Sequence, residues 1–250
     1  MRLSDLIPDV FFRGTKFECN ICGFRANRWL PRGHNYPIID KLDIIGAGKR
    51  WVDCKKCGSS DRDRLVYEFL KKRDAKYPLK DALFLHVAPE FALNCKIETH
   101  FKCNSTKLDF KVSGYKFAYP IDVIKGDIQN LQFDNHSFDF IICNHVLEHV
   151  SDDEIALQEL FRVLKPGGFA ILQVPISVKI NRTIVAGNHW SNLQKKEFIG
   201  QKDHQRLYGF DIKQTIESKG FKCEFWNEIN HDFKEKFRLN EKEFIILALK

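Results

Sequence analysis

The chain has 250 residues, 44% hydrophobic and 29% charged, with a formal net charge of +7. That is the composition of an ordinary soluble protein, long enough for one sizeable core and a small second module. No apolar run approaches the ~20 residues of a membrane span, and no long apolar segment follows Met1-Arg2-Leu3-Ser4-Asp5, so a cytoplasmic location is expected.

The basic excess is uneven. Residues 1–80 carry 18 lysines and arginines against 10 acids, whereas residues 81–250 carry 22 against 23. A basic module set apart from the rest invites a nucleic-acid reading; a solvated basic face is the alternative.

Two knuckles stand in this first part, Cys19-Asn20-Ile21-Cys22-Gly23 and Cys54-Lys55-Lys56-Cys57-Gly58. In each, a tight turn aims two thiolates at one ion and glycine lets the backbone close behind them. The pair reads as a zinc ribbon with Cys19, Cys22, Cys54 and Cys57 as ligands, a filled tetrahedron and therefore a structural zinc. A redox pair is the rival. Cys95, Cys103, Cys143 and Cys223 lack such pairing and read as small core residues. Loops are expected around Pro31 to His34 and Gly46 to Gly48. A basic helix is expected from Leu65 to Arg73, which completes a module over residues 1–80.

The α/β part, residues 81–250, opens with a buried strand at Ala82 to Val87. A helix over 91–101, a strand at Ser105 to Phe110 and an irregular piece to Ile124 follow. Phe138 to Cys143 is a short apolar run, the mark of a strand buried on both faces. Ser151 opens a helix with Glu154 placed to close a capping box, and Leu157, Leu160, Phe161 and Leu164 form its buried stripe. Lys165-Pro166-Gly167-Gly168 stops it and leads into a strand at Phe169 to Val174. Residues 176–202 lack periodicity and read as a loop over the active site. A helix at Gly209 to Lys219 and strands at Phe221 to Trp226 and Glu243 to Leu249 close the chain, the last two as an antiparallel pair at the sheet edge.

The ordered set Asp127 to Phe133, Ser137-Phe138-Asp139, Val146-Leu147-Glu148-His149-Val150 and Leu164 to Gly168 resembles the late strands of class I S-adenosylmethionine-dependent methyltransferases of the type 11-like group. The likeness is tight over about 50 residues and loose over about 170. It implies a Rossmann-like, mostly parallel α/β sheet with an antiparallel last strand, and S-adenosyl-L-methionine as cofactor. The first loop, Leu85-His86-Val87-Ala88-Pro89-Glu90, departs from the glycine-rich pattern of the class. Together with the cysteine knuckles and Asp203-His204-Gln205-Arg206-Leu207-Tyr208-Gly209, it resembles a subset with an N-terminal zinc-ribbon module and an L-H-x-A-P-E loop.

In that resemblance the loop holds the amino-acid end of the cofactor: Ala88 supplies the small residue, Pro89 starts the helix and Glu90 faces the cofactor. Asp109 accepts from the ribose hydroxyls. Asp127 and Ile128 take the adenine amino group and ring, and Asn144 lies near the methionine end. Pro89 and Glu90 as plain helix-capping residues, and Asp127 as a turn former, are the structural alternatives. Histidine is the usual base where a hydroxyl or amine must lose a proton, and His145 and His204 are the candidates. His149 reads as a brace for the helix start, and Glu148 as a partner of Arg162 or another cation. The acceptor expected is a small molecule or sugar-linked compound. The alternatives are an RNA methyltransferase and a zinc-dependent binding protein on a methyltransferase fold without activity. The sequence leaves the oligomeric state open.

Overall fold

The computed structural model describes residues 8–114 and 122–250. The N-terminal pentapeptide behind the location argument, and most of the irregular piece before Ile124, lie outside those residues. No helix of the described residues is long and apolar enough to cross a membrane.

The first part is a set of short strands and two helices: β1 (Arg13–Glu18), β2 (Arg25–Ala26), β3 (Leu30–Arg32), α1 (Pro37–Lys41), β4 (Ile44–Ile45), β5 (Arg50–Asp53) and α2 (Asp61–Asp74). β1 pairs with β2, and β3 with β5, both antiparallel. Pro31 was expected in a loop. It lies instead in β3 at a register shift, where a residue with no N–H to offer is tolerated. α2 starts four residues earlier than its apolar pattern suggests. Ser60 caps it, accepting from the Asp63 N–H, while Asp63 reaches back to the Ser60 N–H in a complete capping box.

The second part alternates strand and helix: β6 (Leu83–Val87), α3 (Phe91–Phe101), β7 (Asn104–Asp109), β8 (Ile124–Lys125), β9 (Phe138–Cys143), α4 (Asp153–Val163), β10 (Leu164–Ile171), β11 (Ile176–Ser177), β12 (Ile184–Val185), α5 (Asn192–Ile199), β13 (Arg206–Leu207), α6 (Ile212–Glu217), β14 (Lys222–Trp226), α7 (His231–Lys236) and β15 (Ile245–Leu249). Seven strands form one sheet in the order β14-β15-β10-β9-β6-β7-β8. All neighbours are parallel except β15, which runs antiparallel to both β10 and β14. This is the Rossmann-like class I methyltransferase sheet.

Each face has its own core. One carries Leu157, Leu160 and Val163 of α4 with Ile212 and Ile216 of α6. On the other, Phe84, Phe140 and Phe169 stack ring on ring across three adjacent strands, with centroids 4.6 and 5.2 Å apart. Phe69 of α2 meets Phe169 edge-on, so the basic helix that closes the first part is a layer of the sheet's own packing. That apolar cluster continues without a break from Phe84 and Ile142 through Leu65 and Leu70 to Cys19 and Cys54.

Three local expectations change. The cap of α4 is Asp152, which accepts from the Ile155 N–H; Ser151 donates to Gln129 instead, and Glu154 pairs with Lys219. The Lys165 to Gly168 stop is a bulge within β10, since Leu164 pairs with Phe138 and the next pair is Phe169 with Phe140. Gly167 sits at φ +79°, and a Cβ on Gly168 would press to 2.7 Å from the Asp139 carbonyl. Residues 176–202 are not one loop. They hold β11, β12 and α5, whose own capping box joins Ser191 and Gln194. They pack through Ile199 on Ile39 and Ile44 of the first part.

Candidate active site

The two knuckles fold identically. Gly23 N–H donates to Cys19 O (2.7 Å) and Gly58 N–H to Cys54 O (2.8 Å), both glycines at positive φ. Four free sulfurs converge, with Cys19–Cys57 and Cys22–Cys54 each 3.7 Å apart. A tetrahedron of sulfurs ~2.3 Å from a central zinc has edges of about 3.8 Å, so the cluster has the dimensions of a four-thiolate zinc site. The other thiols donating to it and nearby Arg64 hold Cys19 well below the usual thiol range, despite its burial.

Strand order reverses between β6 and β9, and a cleft of about 660 Å³ opens there beyond the carboxyl ends of the strands. In an open α/β sheet this is where ligands bind, and the size is that of a small-molecule site. Ala88, Asp109, Asp127, Ile128 and His145, expected at the site from sequence, all line this one cleft. Asp109 ends β7, and one of its oxygens accepts from the Lys111 N–H (2.8 Å). Asp127 accepts from the Gln129 backbone (2.9 Å) and side chain (3.2 Å), so it makes the local turn while facing the cleft.

The glycine-poor first loop makes its tight turn with alanine. Ala88 adopts φ +48°, a region that favours glycine, and its N–H donates to Leu108 O (2.7 Å). Pro89 and Glu90 are not on the cleft wall. Glu90 bonds to His86 Nε2 (2.8 Å) and accepts from Asn144 Nδ2 (3.3 Å). Burial works to raise the Glu90 pKa, but the hydrogen bond and charge of His86 outweigh it and pull it down. The buried His86, through Asn94 (2.9 Å), ties this loop to α3. Asn144 thus belongs to the loop's support, although its Oδ1 is buried without a partner.

His145 also has positive φ (+55°). Its Nδ1 stands 3.2 Å from Glu148 Oε1, and its Nε2 has no partner. Burial, reinforced by Arg62 and Arg50, holds its pKa well below the usual range, so the ring is neutral at pH 7. Glu148 does not pair with Arg162, which is taken by Glu159 (2.7 Å). Burial pushes the Glu148 carboxyl up to about 8. His204 is buried behind the cleft wall, its pKa lowered to about 4 by burial, and its Nδ1 is unpartnered. The remainder of the 203–209 segment is structural. Arg206 donates to the carbonyls of Leu147, Val150 and Ser151 (2.6–3.0 Å), and Tyr208 OH donates to Asp153 (2.7 Å).

Two contributors carried no sequence signal. Gln129 joins the Asp127 turn to the start of α4, accepting from Ser151 Oγ (2.7 Å) and the Asp152 N–H (2.8 Å). Gln173 bridges β10 and β15 where the strands part, donating to Phe244 O and accepting from Ile246 N–H, both 2.8 Å. A lone glutamine in sequence looks like a surface residue; only its strand neighbours reveal it as a bridge.

With sheet and cleft in place, the fold is the Rossmann-like methyltransferase fold. Residues 91–172 match the family described as a methyltransferase domain. Over 51 residues, 20% of the chain, the sequence is 43% identical to the demethylmenaquinone methyltransferase of Staphylococcus carnosus and 45% to that of Staphylococcus epidermidis. The chain spans about a fifth (21%) of the length of these relatives. Among solved structures, the S-adenosylmethionine-dependent methyltransferase from Mesorhizobium loti has a TM-score of 0.53 at 15% identity, over 73% of this chain and 97% of that one. The CurJ carbon methyltransferase has a TM-score of 0.51 at 16% identity, over 75% and 53%.

Proposed function

We propose that the chain is an S-adenosylmethionine-dependent methyltransferase whose cofactor occupies the cleft at the strand-order reversal. The observation that carries this is convergence: two acids from successive strand ends, the apolar Ile128, the tight Ala88 turn and His145 share one cavity. Asp109 accepts from the ribose hydroxyls, and Asp127 with Ile128 receives the adenine edge and face. Ala88 and Pro89 set the loop around the amino-acid end, with Glu90 and Asn144 bracing it.

The cofactor supplies a methyl group on a sulfonium that is already an activated leaving group. The protein's part is then to align the acceptor and take its proton. His145, neutral and with Nε2 free, is placed for that proton. His204 helps shape the acceptor side. A small-molecule or sugar-linked acceptor is proposed; the short stretch shared with enzymes named for demethylmenaquinone supports a small molecule.

Residues 1–80 form the metal module and residues 81–250 the transfer domain. A structural zinc sits on the four cysteines, as the 3.7 Å sulfur spacings support. The cysteine spacings and the Leu85 to Glu90 loop support a place in the subset with a zinc-ribbon module and an L-H-x-A-P-E loop.

One observation favours a second reading, an RNA acceptor. A depression formed mostly by the first part of the chain presents the exposed rings of Phe11 and Trp51 beside Lys16, Arg28 and Arg238, rings and cations that suit stacked bases and phosphates. RNA affinity that falls steeply with salt would support it.

The test of the main reading is calorimetric titration with S-adenosylmethionine and S-adenosylhomocysteine. Micromolar binding is expected. No binding of either ligand to folded, metal-loaded protein sinks the reading and leaves a binding protein on a methyltransferase fold.

A further inference from the structure

We propose that Glu148, His149 and His204 form a second metal site, for one divalent transition-metal ion, on the wall of the cleft. One donor atom from each lies within 4.8 Å of the others. Around an ion with nitrogen and oxygen ligands at ~2.0–2.2 Å, adjacent donors stand about 3 Å apart and opposite ones about 4 Å. Small side-chain adjustments therefore close the shell.

The hydrogen bonding points the same way. Glu148 Oε2 and His204 Nδ1 are buried and have no partner, a costly state that a cation relieves. The opposite atom of each side chain is anchored: Glu148 Oε1 by His145 Nδ1 at 3.2 Å, His204 Nε2 by the Gln201 amide at 2.9 Å. His149 Nδ1 lies 3.1 Å from the Asp203 carbonyl, to which it donates, so its other nitrogen remains for the ion. This is the arrangement in which ligating imidazoles are oriented by their second nitrogen. The two segments are also locked together, by Gln205 N–H on Glu148 O (2.7 Å) and by Arg206 on the 147–151 carbonyls.

Two imidazoles and one carboxylate select zinc, iron, cobalt, nickel or manganese over magnesium and calcium, which prefer all-oxygen shells. Three protein ligands leave coordination positions open, and His149, with Asp203 and Gln205 beside it, lines the cleft. With neutral imidazoles and one carboxylate, a divalent ion keeps a net positive charge. It would bind an acceptor oxygen and lower that oxygen's pKa next to His145. That use rests on the transferase reading; the ion site itself does not.

The test titrates cobalt(II) into protein already holding zinc on its cysteines, without S-adenosylmethionine, following visible absorption and metal content after desalting. One cobalt per chain is expected, with the weak bands of nitrogen and oxygen ligands and no thiolate charge-transfer band. Glu148→Gln and the half-exposed His149→Ala should each weaken it by at least about tenfold. His231→Ala, on α7, should leave it unchanged. Failure to bind cobalt, cobalt seen only with thiolate bands, or affinity unchanged in both variants with native circular dichroism overturns the proposal. Cobalt binding in a chain that ignores S-adenosylmethionine would keep the site and remove the transferase reading.

Discussion

The four-cysteine cluster and the Glu148–His149–His204 corner can both hold a metal, yet they are completed to different degrees. In the first, four sulfurs face one another and the knuckle backbones are saturated by their own turns. In the second, three donors stand beside the cleft and two of them have a buried atom without a partner. A closed shell has nothing left to offer a ligand and serves stability; an open one keeps positions for chemistry. The difference lies in the backbone: each knuckle supplies two donors from one tight turn, and the two turns face each other across 32 to 38 residues of chain, while the corner adds a single histidine to the adjacent Glu148 and His149 from a segment more than fifty residues on.

The largest effect that sharpens this contrast is expected at the closed shell. Cys54→Ser should cost the cluster its metal and abolish cooperative thermal unfolding. Structural zinc supplies ~10–16 kcal/mol in zinc-finger peptides, as much as a whole domain's net stability. Unchanged melting with the metal gone would mean the cluster is not structural.

Arg64 is next. It is fully buried, donates to the carbonyls of Phe237, Ser59, Val52 and Arg238 (2.8–3.1 Å), and lies 4.4 Å from the Trp29 ring. It pins the first part of the chain to the segment after α7. Arg64→Leu should cost about 3 kcal/mol in urea unfolding; a loss under about 1 kcal/mol would mean that the apolar cluster alone holds the two parts together.

Glu243 tests the polar seam between them. Burial, with Asp61 close by, raises its folded pKa to about 7, above its ordinary value. The folded state therefore favours the neutral acid, and the protein should lose stability relative to Glu243→Gln as pH rises from about 4.5 towards 7, by about 1.4 kcal/mol per unit at most. A flat difference across that window would show the carboxylate to be well solvated or paired.

The smallest effect on the fold is expected at the cleft. Asp109→Ala should weaken S-adenosylmethionine at least about tenfold, ~1.4 kcal/mol, with melting unchanged. Equal binding by both proteins would remove Asp109 from the site.

Much of the sheet was legible because its signals are local. Phe138 to Cys143 is a strand and 91–101 a helix at the expected bounds, since burial on both faces and helical periodicity are written in adjacent residues. The cap of α4 was misread by one residue because Ser151 and Asp152 are both good caps. What decided between them was Gln129, 22 residues away, which occupies Ser151. The shared cleft followed from chain order once a parallel sheet was granted, which is why Ala88, Asp109, Asp127, Ile128 and His145 meet there.

By itself the sequence determined the two cysteine knuckles, the alternation of strands and helices, and the acids at strand ends, for each depends on neighbours within a few residues. Only the tertiary structure decided that α2 is a layer of the sheet's packing, that Arg64 is a buried pin, and that His204 stands beside Glu148 and His149. Those facts depend on which distant segments exclude water from one another, and a residue's type does not record whether its partner 50 or 170 residues away will arrive.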